Sequence, residues 1–262
     1  METMRYREEK KSHKGAIFAI FLFILIGSSI IIFAVKNEKD PEIIGQTTSD
    51  VQSLVDVDNA QNKVTVDDLK KMTYKVDSKD LSDSSNTKFK GNIKVPVITI
   101  NDKKLDDINS EIEKNYSELF SKLRDENKNS EHKFTYTVSY STYDNMIGNR
   151  RILSITIYER IVDNEDGGTT YDKVTSYNID FKDGKKLTGN DVIIDALGSD
   201  AKDKIKEEVK DYVVSKGYMK SSDYTYAYTG LESFYFDEKG LFHIIFNKGD
   251  LVDKYIDITI NK

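Results

Sequence analysis

The sequence predicts an α+β protein: an antiparallel sheet with two amphipathic helices on one face, preceded by one transmembrane helix and a polar stalk. Residues 15–35 carry no charge over a bilayer-length run, and residues 36–88 are polar without sustained periodicity. From Phe89 onward, apolar residues recur alternately at period two and at three- and four-residue steps.

The uncharged run GAIFAIFLFILIGSSIIIFAV occupies residues 15–35. A hydrocarbon core about 30 Å thick needs roughly 20 apolar residues at the helical rise, which this run supplies. Arg5, Arg7, Lys10, Lys11 and Lys14 precede it, whereas Lys36 and Lys39 alternate with Glu38 and Asp40 behind it. The positive-inside rule then puts residues 1–14 in the cytoplasm as a short tail and everything after the span outside the cell membrane. A cleaved signal peptide is the rival reading; its apolar region normally runs about 7 to 15 residues and ends at a small-x-small site, of which Ile32-Phe33-Ala34 is a poor version.

Charge and composition exclude several classes. Five basic residues against Glu2, Glu8 and Glu9 give the tail +2, so the total of −6 leaves −8 for the rest. Nucleic acid is not an expected partner, because phosphate binding needs a basic face; a basic protein or cationic wall component is attracted instead. The chain has no cysteine, which rules out a lipidated cysteine, disulfide staples, thiolate catalysis and zinc–thiolate sites. Residues 36–88 place apolar side chains singly among Asp, Ser, Thr, Asn and Lys, and read as a stalk with at most short structured pieces around residues 64–72.

The folded part is expected over residues 89–262. Its first strand is residues 92–100, which Pro96 assigns to an edge because proline lacks a ladder donor. Asn101 is placed to cap a helix whose stripe is Leu105, Ile108, Ile112, Tyr116, Leu119, Phe120 and Leu123. Strict alternation marks antiparallel strands at residues 134–140 and 152–158, and the NEDGG loop leads to a third at 170–181. Thr188 and Asp191 form an approximate capping box. A second helix opens at Ser199, buries Ala201, Ile205, Val209, Tyr212 and Val213, and ends at Gly217. Strands at 233–237, 241–247 and 255–260 finish the chain, the first pair joined by an Asp237-Glu238-Lys239-Gly240 turn.

The stretch GGTTYDKVTSYNIDFKDGKKLTGNDVI, followed later by FYFDEKGLFHIIFNKGDLVDKYIDITI, resembles the extracellular domain of the anti-sigma factor RsiV and its uncharacterised relatives. The preceding VPVITINDKKLDDINSEI is similar to the module ahead of the catalytic domain in the peptidoglycan deacetylase PdaC. The resemblance divides the outer part into a leading module (89–145) and a C-terminal module (146–262). It implies an exported receptor that captures lysozyme or another basic wall-active protein. Two departures stand out. The cytoplasmic piece is too short for a sigma-binding domain, and Thr169-Thr170 follow the glycine pair where the family usually carries a small residue and His.

No catalytic, cofactor or metal motif is recognised. His13, His132 and His243 are the histidines, without a paired-His spacing, and His243 lies within an apolar strand. Asp166 and Asp172 flank a glycine-rich loop without EF-hand spacing and read as turn formers. Ser85-Asn86-Thr87-Lys88 and Ser130-Glu131-His132-Lys133 match S-x-x-K without its companion motifs. Candidate partner contacts are Tyr224, Tyr226 and Tyr228, which either alternate into the core as one more strand or stand out as aromatic anchors, together with Gly167 and Gly168. The expected function is a membrane-anchored extracytoplasmic binding protein. The alternative is a peptidoglycan-associated enzyme or enzyme accessory.

Overall fold

The structure, a computed structural model, describes residues 64–261. The expected tail, the span at 15–35 and the stalk up to residue 63 lie outside the described residues. Among the described residues, no helix is long and apolar enough to cross a membrane.

Helix α1 (Val66–Lys71) starts at a capping box in which the Asp68 carboxylate accepts from the Thr65 N–H at 3.0 Å and the Thr65 hydroxyl accepts from the Asp68 N–H at 3.2 Å. Strand β1 (Tyr74–Asp80) follows. Both fall in the stretch expected as stalk, yet Leu69 is buried and Val64, Met72, Val76 and Leu81 pack against the core. Arg151 joins α1 to the sheet, donating to the Leu69 and Met72 carbonyls at 2.9 and 2.6 Å and closing the open end of the helix.

Strands β2 (Phe89–Ile100), β3 (Lys103–Lys104), β4 (Phe134–Ile147), β5 (Arg150–Asp163) and β6 (Thr169–Asp180) complete a six-stranded sheet in the order β1-β2-β4-β5-β6, with β3 beside β2. This corrects the expectation of one purely antiparallel sheet. Strand β2 runs parallel to β4, Phe89 opposite Phe134, because helix α2 (Asp106–Asn127) carries the chain across the sheet between them. The helix stripe is as expected: Ile108, Ile112, Tyr116, Phe120 and Leu123 are buried against Phe89, Ile93, Tyr136, Ile155 and Ile157. Asn101 does not cap the helix; Leu105 holds that position, and Asn101 and Asp102, at φ 49° and 59°, form the two-residue turn into β3.

Pro96 is accommodated by a change of neighbours along β2. Strand β4 pairs only with Phe89 to Ile93, while β1 flanks the half containing Pro96. The reciprocal Asp83–Gly91 bonds and the Asn101 N–H to Thr73 bond turn odd-numbered β2 residues toward β1, so the missing Pro96 N–H faces the unpaired side. On that side Asn109 stands in for a strand: its Oδ1 accepts from the Ile98 N–H at 2.8 Å and its Nδ2 donates to the Ile98 carbonyl at 3.0 Å.

A second, antiparallel sheet contains β7 (Ser233–Phe236), β8 (Phe242–Phe246) and β9 (Ile256–Ile260) in that order. Helices α3 (Gly189–Leu197) and α4 (Ala201–Ser215) cover it, burying Val192, Ile193, Ile205, Val209 and Val213 against Phe236, Phe242, Ile244 and Ile258. The helices are therefore divided between two sheets, α2 on the larger and α3 and α4 on the smaller, with a core under each. The Asp237–Gly240 turn forms as expected, Asp237 accepting from the Lys239 and Leu241 N–H groups.

The sheets meet through a polar clasp. The Ser154 hydroxyl donates to Asn178 Oδ1 at 2.6 Å and accepts from the Phe236 N–H at 3.1 Å. Asn178 Nδ2 donates to the Phe234 carbonyl at 2.7 Å, and the Ser176 hydroxyl accepts from the Phe234 N–H at 3.0 Å. Side chains of the large sheet thus satisfy the outward N–H groups of Phe234 and Phe236 along the outer edge of β7.

Candidate binding surface

The three alternate tyrosines lie in an irregular segment before β7 and form no strand. Their rings nevertheless turn inward onto the second core. Tyr226 meets Phe246 edge-on at 5.2 Å, and Tyr224 donates to the Lys206 carbonyl at 2.7 Å. Burial pushes the Tyr224 phenol up to about 12 and raises Tyr226 and Tyr228 as well, with Glu232 adding to the latter two. Tyr228 fills the space that a side chain at Gly189 would take, and its hydroxyl is buried without a hydrogen-bond partner. The three rings serve chiefly as packing.

Gly167 and Gly168 are exposed at the β5–β6 hairpin tip, Gly167 at φ +70°. A Cβ at either would touch nothing. Beneath the tip, Asp163 Oδ1 accepts from the Glu165 N–H at 2.9 Å, and its other oxygen meets His132 Nδ1. Burial would raise the Asp163 carboxyl, but the Glu165 N–H and His132 outweigh it and hold it below its ordinary value. His132, Asp163 and Asp166 offer ligand atoms within 4.8 Å of one another. Both Asp163 oxygens are committed to turn and imidazole, so the cluster ties the hairpin to the loop after α2. Asp172, the other carboxylate near this loop, pairs with Arg160 across the strands at 3.1 Å.

A different surface brings acidic and aromatic groups together at the second sheet. On the face of β7–β9 turned away from the helices, Tyr235 stacks on His243 at 4.5 Å. Its hydroxyl donates to Asp257 Oδ2 at 2.8 Å, while Asp257 Oδ1 meets His243 Nδ1 at 2.9 Å. Asp237 lies 3.4 Å from the other imidazole nitrogen. Burial opposes the imidazolium, but Asp257 and Asp237 together outweigh it and raise the His243 pKa. The strand-embedded histidine is thus held between two carboxylates. Tyr143 stacks on Tyr235 at 5.6 Å, and Tyr158 and Tyr255 pack nearby, so aromatic area continues across the junction of the sheets.

Beside this network a groove of about 730 Å³ runs between α4 and β9. Glu208, Asp211, Tyr212 and Ser215 line it from the helix, and Asp257 and Thr259 from the strand. Among the described residues the carboxylates of Glu208 and Asp211 have no ion-pair or hydrogen-bond partner, and no lysine or arginine lines the groove. The sequence did not mark these residues as a site. Glu208 and Asp211 look like any polar helix face until β9 is laid alongside them.

No family model matches the chain, and no curated protein matches it. Among solved structures, the chain is similar to a member of the DUF3298 family from Bacteroides fragilis, at 11% identity and TM-score 0.41, over 72% of this chain and 90% of that one. It is also similar to a DUF3298 family protein from Pseudomonas aeruginosa, at 9% identity and TM-score 0.42, over 72% and 90% respectively.

Proposed function

We propose that the protein is a membrane-anchored, extracytoplasmic binding protein, similar to RsiV in its outer domain, that captures lysozyme or a comparable basic wall-active protein. The reading rests on the groove beside β9, where two carboxylates without partners adjoin a third and a tyrosine in a chain of net charge −6. Unpaired surface carboxylates raise the encounter rate with a cationic partner and make it salt-dependent. Tyrosine supplies contact area at low entropic cost. The resemblance of the glycine-pair and YNID segments to the RsiV outer domain supports the same class, and the uncharged run at 15–35 supports the anchor.

The test is capture of lysozyme by the full chain in nanodiscs of zwitterionic lipid. Retention at low salt that weakens as salt rises is the expected result; no retention at low salt overturns the proposal. Muropeptide turnover by the same preparation would instead favour the enzymatic alternative.

A further inference from the structure

We infer that the free edge of β9 is a strand-addition site for an extended, lysine- or arginine-bearing peptide, which lies in the groove between β9 and α4. This deepens the capture of a basic protein and rests on that reading for the biological origin of the peptide.

The two edges of the small sheet are treated differently. The outer edge of β7 is closed by Ser154, Ser176 and Asn178. No described side chain or backbone group closes the outer edge of β9. Register identifies its open groups. The Asp237 N–H bonds the Leu241 carbonyl, so Leu241, His243 and Ile245 direct their backbone groups at β7. Phe242, Ile244 and Phe246 then face β9 and bond Ile260, Ile258 and Ile256. The N–H and C=O groups of Asp257 and Thr259 are left pointing outward, and both residues line the groove.

An unpaired edge is a template for another strand, and a helix alongside gives that strand a second wall. Charge decides the occupant. A peptide strand on β9 places alternate side chains toward Glu208 and Asp211 on α4, and the others beside Asp257. Cations at these positions meet carboxylates, two of which have no other partner. Tyr212 lines the same wall, although its ring already meets Lys216 at 5.9 Å and Tyr218 edge-on at 6.4 Å, so the carboxylates are what select the cation. An acidic peptide would meet like charge at Glu208, Asp211 and Asp257.

The experiment uses the full chain in zwitterionic nanodiscs and a fluorescein-labelled octapeptide alternating lysine and valine, followed by anisotropy. Saturable, salt-weakened binding is expected. It should drop by at least about tenfold for the glutamate–valine peptide, for a peptide N-methylated at alternate residues, and for E208K/D211K. The variant T259P removes an outward N–H that the β8–β9 ladder does not use, so it should keep the fold and lose binding. Equal binding of the N-methylated peptide, or undiminished binding to E208K/D211K or T259P with unchanged circular dichroism, overturns the inference. Lysozyme retained equally by the protein and by T259P would place capture elsewhere and refute the groove while sparing the function. Peptide binding without lysozyme capture would do the reverse.

Discussion

Replacing Asn109 tests whether one amide substitutes for a strand. In Asn109→Ala, the bonds at 2.8 and 3.0 Å to Ile98 both vanish. The Ile98 carbonyl keeps the Leu105 N–H at 3.0 Å, but the Ile98 N–H, on a residue with 0% exposure, is orphaned. Two net hydrogen bonds are worth about 1–3 kcal/mol, and one buried unsatisfied donor costs about 1–3 kcal/mol, partly the same energy. A loss of about 2–4 kcal/mol follows, or about 5–15 °C in Tm for a domain of this size. Asn109→Asp refines the test. One carboxylate oxygen still accepts from the Ile98 N–H, while the other confronts the Ile98 carbonyl until it is protonated. The folded-state pKa of that Asp is therefore raised, and its stability contribution is present at low pH and lost as pH rises through that pKa. Urea denaturation followed by tyrosine fluorescence at pH 4 and pH 7.5 measures both variants. A loss below about 1 kcal/mol for Asn109→Ala, or the same deficit for Asn109→Asp at both pH values, would refute the strand-substitute argument.

Gly91→Ala should cost about 1–3 kcal/mol, because its Cβ would sit 2.6 and 2.8 Å from the buried Phe120 ring; an unchanged denaturation midpoint would show that the ring moves freely. Tyr228→Phe deletes a buried hydroxyl without a partner, so stability should stay level or rise by about 1 kcal/mol, and a loss above that in thermal melts would reveal a bond the hydroxyl makes. Glu159 is 2% exposed beneath α2; burial raises its pKa, with Lys173 and the Tyr136, Tyr116 and Thr175 hydroxyls pulling only partly against it. Its raised pKa makes the protonated form the one that favours folding, so Glu159→Gln should gain on the parent as pH rises from 4 to 8; parallel stability curves would contradict this.

Local chemistry was legible in the sequence wherever periodicity or turn residues acted alone. The α2 stripe, the alternation of β4 and β5, the Asp237–Gly240 turn and the end of α4 before Gly217 follow from side-chain spacing and from positive-φ glycine, here φ +68° at Gly217. What escaped depended on partners distant in the chain. Strand β1 exposes most of its side chains, so composition made it look like stalk, and only its ladder with β2 holds it in the sheet. Pro96 suggested an edge, and the strand proved interior at one end and edge at the other. The tyrosine alternation at 224–228 imitated a strand because every second ring finds the same core. The groove had no local signal, since its two walls come from segments separated by a turn, a 3₁₀ helix and two strands.

The polar clasp between the sheets also bears on how the molecule comes apart. The second core draws almost all of its side chains from the stretch after β6, with Ile147 and Ile152 its contributions from the large sheet. The larger core is built from residues between α1 and Phe181. The seam between them, made of the serine and asparagine clasp, the Asn145–Asp237 and Asn247–Val174 bonds and the small cluster of Val174, Tyr235 and Ile245, buries far less apolar area than either core, so opening is expected in two tiers. Backbone amides of β7 to β9 and α4 should exchange with solvent deuterium through a shared, lower-energy event. Those of β4, β5 and α2 wait for complete unfolding.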